Sequence, residues 1–184
     1  MKQINYFEII QKYIPVSTSS YRNYIIHVTL VTAEALKIAT YFNLTDEQKQ
    51  FIVEASMLHD IGICKVIDYK EDLGGNLPYI CHIIEGAKIL RLEGLEKHAL
   101  VAERHTGVGI FKEEVIEKNL PLEVKDYVPQ TIEEEIISFA DMFYKKDSHR
   151  VWSKQTDDEV RKEIGQYGNR HAEILEKKLK KFKI

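Results

Sequence analysis

Apolar residues recur every three or four positions along most of this chain, and that period constrains the fold more than any other feature. From Tyr24 the set Tyr24, Val28, Val31, Ala35, Ile38, Ala39 and Phe42 follows one helix face. No alternating segment of strand length stands out, no internal repeat shows, and only 4 prolines interrupt the 184 residues. Start signals agree with the period. The hydroxyl residues at 17–20 offer N-caps for the helix that carries Tyr24. Thr45 with Gln48, Thr131 with Glu134, and Thr156 with Glu159 read as capping boxes. They predict helices over about 46–60, from 132 to about Lys146, and from 157 to Phe182. Gly165 and Gly168 weaken the start of the last by roughly 1 kcal/mol each relative to Ala. Pro78 suits the first turn of a helix ending near Leu92, before Gly94. Leu95–His105 and about 111–119 read as short helices, and 68–77 as a turn centred on Gly74-Gly75-Asn76. The expectation is an all-α fold of about six to eight helices. It divides into an N-terminal helix in 1–18, a central domain over 19–146, and a helical appendage over 147–184 packed on the same domain.

Composition then narrows the function classes. Two cysteines, Cys64 and Cys81, are too few for a disulfide scaffold or a four-cysteine zinc site. A formal net charge of −3 argues against a globally basic nucleic-acid binder. No apolar run reaches membrane-spanning length, and the first twenty residues mix Lys, Asn, Glu and Gln into their apolar positions, unlike a signal peptide. A cytoplasmic protein is expected, as a monomer or homodimer, with neither a membrane nor a stable nucleic-acid partner. Five lysines at 177–184 read as a solvated helix end beside the negative end of the dipole.

The chemistry lies in histidines and aspartates set among apolar residues. His27 borders the stripe of its helix. His59-Asp60 follows Met57-Leu58 and precedes Ile61. His82 is flanked by Ile80, Ile83 and Ile84. His105 closes a helix, and Asp141 sits in the most apolar helix of the chain. One histidine beside an apolar face is ordinarily a satisfied core residue. Six such groups would need separate compensations for burial, whereas one metal centre compensates all of them at once. Imidazole and carboxylate ligands suit Fe, Mn, Ni, Co, Mg or Zn.

His27, His59-Asp60 and Asp141, each on a different helix, resemble the H…HD…D pattern of the HD superfamily of metal-dependent phosphohydrolases. His59-Asp60-Ile61-Gly62 matches its HD-x-G turn, and Ser138-Phe139-Ala140-Asp141 its last-ligand segment. His82-Ile83-Ile84-Glu85-Gly86-Ala87 and Arg104-His105-Thr106-Gly107 resemble the extra histidine segments of dinuclear members. The resemblance spans about residues 20–145. It implies one or two divalent ions: His27, His59, Asp60 and Asp141 around the first, with Asp60 bridging to a second completed by His82 and His105. A metal-bound hydroxide would then attack phosphorus in a phosphate ester or anhydride.

Where many relatives carry a lysine directly after HD-x-G, this chain has Ile63. Lys65, Arg104 and Lys88 are the candidate cations for substrate phosphate, so Asp60, Arg104 and Lys65 form the expected catalytic set. Arg104, Lys88, Tyr144 and His98 are expected at the substrate. His98 fits three roles: a ligand in place of His105, a proton donor, or a surface histidine. Glu85 and Glu103 could orient ligand histidines, or stay solvated. Tyr21, Tyr24, Tyr79, Tyr144 and Tyr167 could line a cleft; Tyr144, one turn after Asp141, is preferred. His149 and His171 receive no role. The small HD hydrolases of dinucleoside tetraphosphates have a similar Arg/Tyr-His-Thr segment, so the expected substrate is small, phosphorylated and nucleotide-like. Ile63 also admits a nucleotide-sensing module without turnover, and the scaffold admits a di-iron oxygenase.

Overall fold

Several helices start where a threonine hydroxyl accepts a first free amide. The computed structural model describes residues 4–68, 73–146 and 150–182. After α1 (Tyr6–Tyr13), Thr18 accepts from the Tyr21 amide and opens α2 (Ser19–Tyr41). The Thr45–Gln48 capping box opens α3 (Asp46–Leu58). A 3₁₀ turn over Ile61–Lys65 leads to β1 (Ile67–Asp68) and β2 (Leu73–Gly74), a two-residue antiparallel ribbon where the sequence predicts only a turn. Pro78 precedes a second 3₁₀ turn, Tyr79–Cys81, and then α4 (His82–Leu92). There follow α5 (Glu96–Arg104), α6 (Lys112–Glu117), α7 (Ile132–Asp141), α8 (Asp157–Gly165) and α9 (Asn169–Phe182). The fold is all-α, with nine α-helices among the described residues rather than six to eight.

Two differences from expectation have physical causes. The helix that opens at Thr131 stops at Asp141, not near Lys146. Its end is served from a later segment: the Gln155 side chain donates to the Met142 carbonyl (3.0 Å) and the Gln155 amide to the Phe143 carbonyl (2.8 Å). The final helix is broken in two. Gly168 takes φ +110°, which a residue with a Cβ rarely adopts, and α9 restarts with its face on α7 and α8. The lysine-rich end is also less solvated than expected: Lys178 is buried, and Lys181 pairs with Glu135 on α7.

Two large apolar clusters result. One joins Val31, Ala35 and Ile38 of α2 to Ile136 and Ile137 of α7 and to Ile164, Leu175 and Phe182 of α8 and α9. The other joins Ile10 and Ile14 to Tyr24, Val28, Leu58, Ile61 and Leu90. His27 lies on α2 between Tyr24 and Val28 of one cluster and Val31 of the other.

Gly62 fixes how His59-Asp60 meets α4. A Cβ at this position would lie 2.0 Å from the His82 carbonyl oxygen and 2.4 Å from the Gly86 amide nitrogen. Only a glycine lets the 3₁₀ turn rest on the start of α4. Gly165, in contrast, has open space around a would-be Cβ. In urea unfolding, Gly62→Ala should destabilise the protein by about 2 kcal/mol or more. Gly165→Ala should stabilise it by about 0.5–1 kcal/mol. Equal effects of the two would contradict this packing.

Candidate metal centre

Five helix ends or faces bring six side chains to one point. His59, His82 and His105 each follow the last turn of a helical segment or open the next, and each ring is held by the same device. Nδ1 of His59 lies 2.7 Å from the Ser56 carbonyl, Nδ1 of His82 2.7 Å from Tyr79, and Nδ1 of His105 2.9 Å from Ala102. With Nδ1–H donating to the carbonyl three residues back, Nε2 carries the free lone pair. Backbone carbonyls therefore do the orienting. Glu85 pairs with Lys88, and Glu103 with Arg91 and Lys125.

The free Nε2 atoms converge on Asp60, which is fully buried. Asp60 Oδ1 faces His82 Nε2 at 3.5 Å and His105 Nε2 at 3.4 Å. Asp60 Oδ2 faces His27 Nε2 at 3.4 Å and His59 Nε2 at 3.7 Å. Asp141 Oδ1, arriving on α7, lies 3.1 Å from His27 Nε2 and 3.4 Å from His59 Nε2. The Ser138 hydroxyl, one turn before Asp141, donates to the Gly107 carbonyl at 2.6 Å and so ties α7 to the loop that follows His105.

Lys146 joins this group, and the sequence reading missed it. Its Nζ sits 2.7 Å from Asp60 Oδ2 and donates to the Tyr79 hydroxyl at 2.9 Å. The available signal was its place in the segment that leaves α7, but a helix running on to Lys146 would have carried it elsewhere.

Electrostatics puts the donors largely in ligand form. Burial works against ionised Asp60, but Lys146 and the neighbouring histidines hold its carboxyl well below the usual range. Asp141 goes the same way, with His27 and His59 outweighing burial. Burial, helped by Lys146, pushes His82 down to about 3, and burial lowers His105. Burial opposes the His59 imidazolium, yet Asp60 and Asp141 together push its pKa up. Two groups could hold a metal ion, His27 with His59 and Asp141, and His59 with Asp60 and His105, each set within 4.8 Å of one another. His59 Nε2, both Asp60 oxygens and Asp141 Oδ1 are buried without a well-formed hydrogen bond among the described residues. Buried donors left in this state fit a cation.

The remaining expected site residues scatter. Tyr144 lines the cleft of about 680 Å³ that opens from the centre, as do Tyr79 and Tyr167. Tyr24 is buried and donates to the Met57 carbonyl at 2.9 Å, and Tyr21 packs against the second cluster. Arg104 Nη1 lies 3.3 Å from Glu134 Oε1, turned toward α7. Lys88 is exposed against Glu85, and Lys65 is exposed at the end of its turn. His98 is buried 3.4 Å from Glu54 with its ring on Phe51, because the start of α5 faces α3 while His105 lies beyond the helix end. His171 is buried beside Glu114 at 3.1 Å. His149 lies outside the described residues.

Comparison with known proteins agrees with this geometry. The family model for the HD domain matches residues 24–144. The chain belongs to the HD domain family. An uncharacterised protein of Methanocaldococcus jannaschii is 41% identical over 119 residues, covering 62% of this chain and 66% of that protein. Two tRNA (cytidine(56)-2'-O)-methyltransferases also match. The one from Picrophilus torridus is 36% identical over 122 residues, 66% of this chain, and the one from Thermoplasma volcanium 34% over 137 residues, 74% of this chain. This chain spans only 31% and 36% of their lengths. Two crystal structures of the HD domain of the L. monocytogenes phosphodiesterase PgpH share the fold. The TM-scores are 0.53 and 0.54 at 17% and 16% identity, covering 95% and 97% of this chain and 95% and 96% of theirs. One of them is in complex with cyclic-di-AMP. Among the described residues no helix is long and apolar enough to cross a membrane.

The His98–Glu54 pair gives a pH test away from the centre. Burial lowers the His98 pKa against the partial support of Glu54. The unfolded chain then binds more protons than the folded one below about pH 6.5, so stability is present above that value and lost as pH falls. His98→Gln should flatten the acid slope of unfolding free energy below pH 6.5, by at most about 1.4 kcal/mol per pH unit. An unchanged slope would contradict the assignment.

Proposed function

We propose that the protein is a metal-dependent phosphohydrolase that cleaves a phosphate ester or anhydride of a small, nucleotide-like substrate. The observation that carries this reading is the division of Asp60: one oxygen faces His27 and His59, the other His82 and His105. Such an arrangement suits one or two divalent ions held by His27, His59, Asp60, Asp141, His82 and His105. A bound divalent ion would supply Lewis acidity toward a phosphoryl oxygen and acidify coordinated water. Membership of the HD family supports a hydrolase, and the phosphodiesterase neighbour in complex with cyclic-di-AMP supports a nucleotide-like ligand. The methyltransferase relatives bear little on it, since this chain matches about a third of each.

The chain's own residues have definable tasks. The backbone carbonyls of Ser56, Tyr79 and Ala102 keep the Nδ1 protons of His59, His82 and His105 in place and so present Nε2 inward. Lys146, which lines the cleft, is the described cation that meets Asp60, and it suits the neutralisation of substrate phosphate. From sequence that task was expected of Lys65, Arg104 or Lys88. Ile80 and Met142 add apolar surface to the wall of the cleft. A sensing module without turnover has one observation in its favour: Ile63, at the position where the family resemblance leads one to expect a lysine, is buried in the apolar core. Lys146 answers that deficit.

Release of phosphate from a panel of nucleotides and phosphate esters, with Mn²⁺, Co²⁺, Ni²⁺ or Mg²⁺ added, tests the reading. Asp60→Ala should lower turnover at least about 100-fold. Lys146→Met should raise KM roughly 10-fold. Saturable binding with no turnover on any substrate would favour the sensor instead.

A further inference from the structure

Lys146 stands between two partners. Its Nζ lies 2.7 Å from Asp60 Oδ2, closer than His27 at 3.4 Å or His59 at 3.7 Å. That contact is an ion pair. The well-formed hydrogen bond of the ammonium goes to the Tyr79 hydroxyl at 2.9 Å, and Nζ stands 5.5 Å from the centre of the Tyr79 ring. One partner is thus the buried carboxylate of the candidate metal centre, and the other is a phenol on the cleft wall.

Charge decides whether both can be kept. Asp60 and Asp141 bring two negative charges to the centre, and the ammonium offsets one of them. A divalent ion on the same Asp60 oxygen, at the roughly 2.1 Å usual for such bonds, would stand within about 5 Å of Nζ and turn the remaining negative charge positive. His59 and Asp60 have no solvent exposure, so water screens that repulsion poorly.

The ammonium also has room to withdraw. The Lys146 side chain is 25% exposed and lines a cleft of about 680 Å³ together with Tyr79. The other described cations of the cleft are held elsewhere: Lys118 lies 2.9 Å from Glu114, Arg150 lies 2.7 Å from Glu159, and Lys145 pairs with Glu163.

We propose that Lys146 and a divalent ion compete for Asp60, so that Lys146 weakens metal binding and is held by Tyr79 alone once the ion is bound. This rests on the metal-centre reading given under the proposed function. It sets an order of events: an ammonium paired with Asp60 is not free for substrate phosphate, and metal loading releases it.

Calorimetric titration with Mn²⁺, on protein stripped of metal by chelator, tests the competition. Lys146→Met should bind Mn²⁺ at least about 10-fold more tightly than wild type, and Mn²⁺ should raise its unfolding temperature by more. Tyr79→Phe removes the second partner and should bind Mn²⁺ about 3-fold more weakly. The sign is diagnostic, because loss of a residue that merely braced the ligands would loosen the metal. Unchanged or weaker binding by Lys146→Met overturns the proposal, as does unchanged or tighter binding by Tyr79→Phe. Thermal unfolding of the stripped variants checks that each is folded, and Tyr79→Phe decides if Lys146→Met is not. Wild type that binds no Mn²⁺ would defeat the metal-centre reading and the proposal with it, whereas Mn²⁺ binding without the expected changes defeats the competition alone.

Discussion

A carboxylate with no solvent exposure dominates this structure. Asp60 lies at the junction of the α3 end and the 3₁₀ turn, out of solvent, and its carboxylate takes no capping hydrogen bond from the turn it precedes. Ionised and buried, it needs positive charge or donors close by. The surrounding arrangement meets that need: four imidazoles approach its two oxygens, Lys146 enters from beyond α7, and a second carboxylate, Asp141, shares two of the same imidazoles.

The fold can be understood as the means of holding these groups. The ligand candidates come from five segments, only His59 and Asp60 sharing one, so no single helix positions the centre. Gly62 sets the approach of the 3₁₀ turn to α4, and the Ser138–Gly107 hydrogen bond sets α7 against the loop after His105. Carbonyls three residues upstream fix three of the rings, which makes the donor directions a property of helix ends rather than of flexible carboxylates. The two apolar clusters on either side of His27 supply rigidity, and α8 and α9 close the cleft.

Much of this was legible in the sequence because it depends on local rules. The threonine caps and the 3.6-residue period locate α2, α3, α7 and α8, since capping residues satisfy the same orphan amides wherever they occur. Thr45 and Thr156 form full capping boxes, whereas at α7 Thr131 accepts from the Glu134 amide but the Glu134 carboxylate takes the Gln130 amide instead. The order His27, His59-Asp60, His82, His105 and Asp141 named the groups that converge. Tertiary choices were not legible. Gln155 serves the carbonyls that end α7, and that early stop is what returns Lys146 to the centre. Arg104, His98 and Lys88 have partners on other helices, Glu134 and Glu54, or on their own surface, Glu85, and no local pattern announces such pairings.

Metal content of the protein, purified without chelator, bears most directly on this account. Elemental analysis should find about one or two equivalents of a divalent metal per chain, and the paired substitutions His59→Ala and Asp60→Ala should remove nearly all of it. A wild-type protein that neither retains nor takes up a divalent metal, or a doubly substituted one that keeps it, would contradict the account.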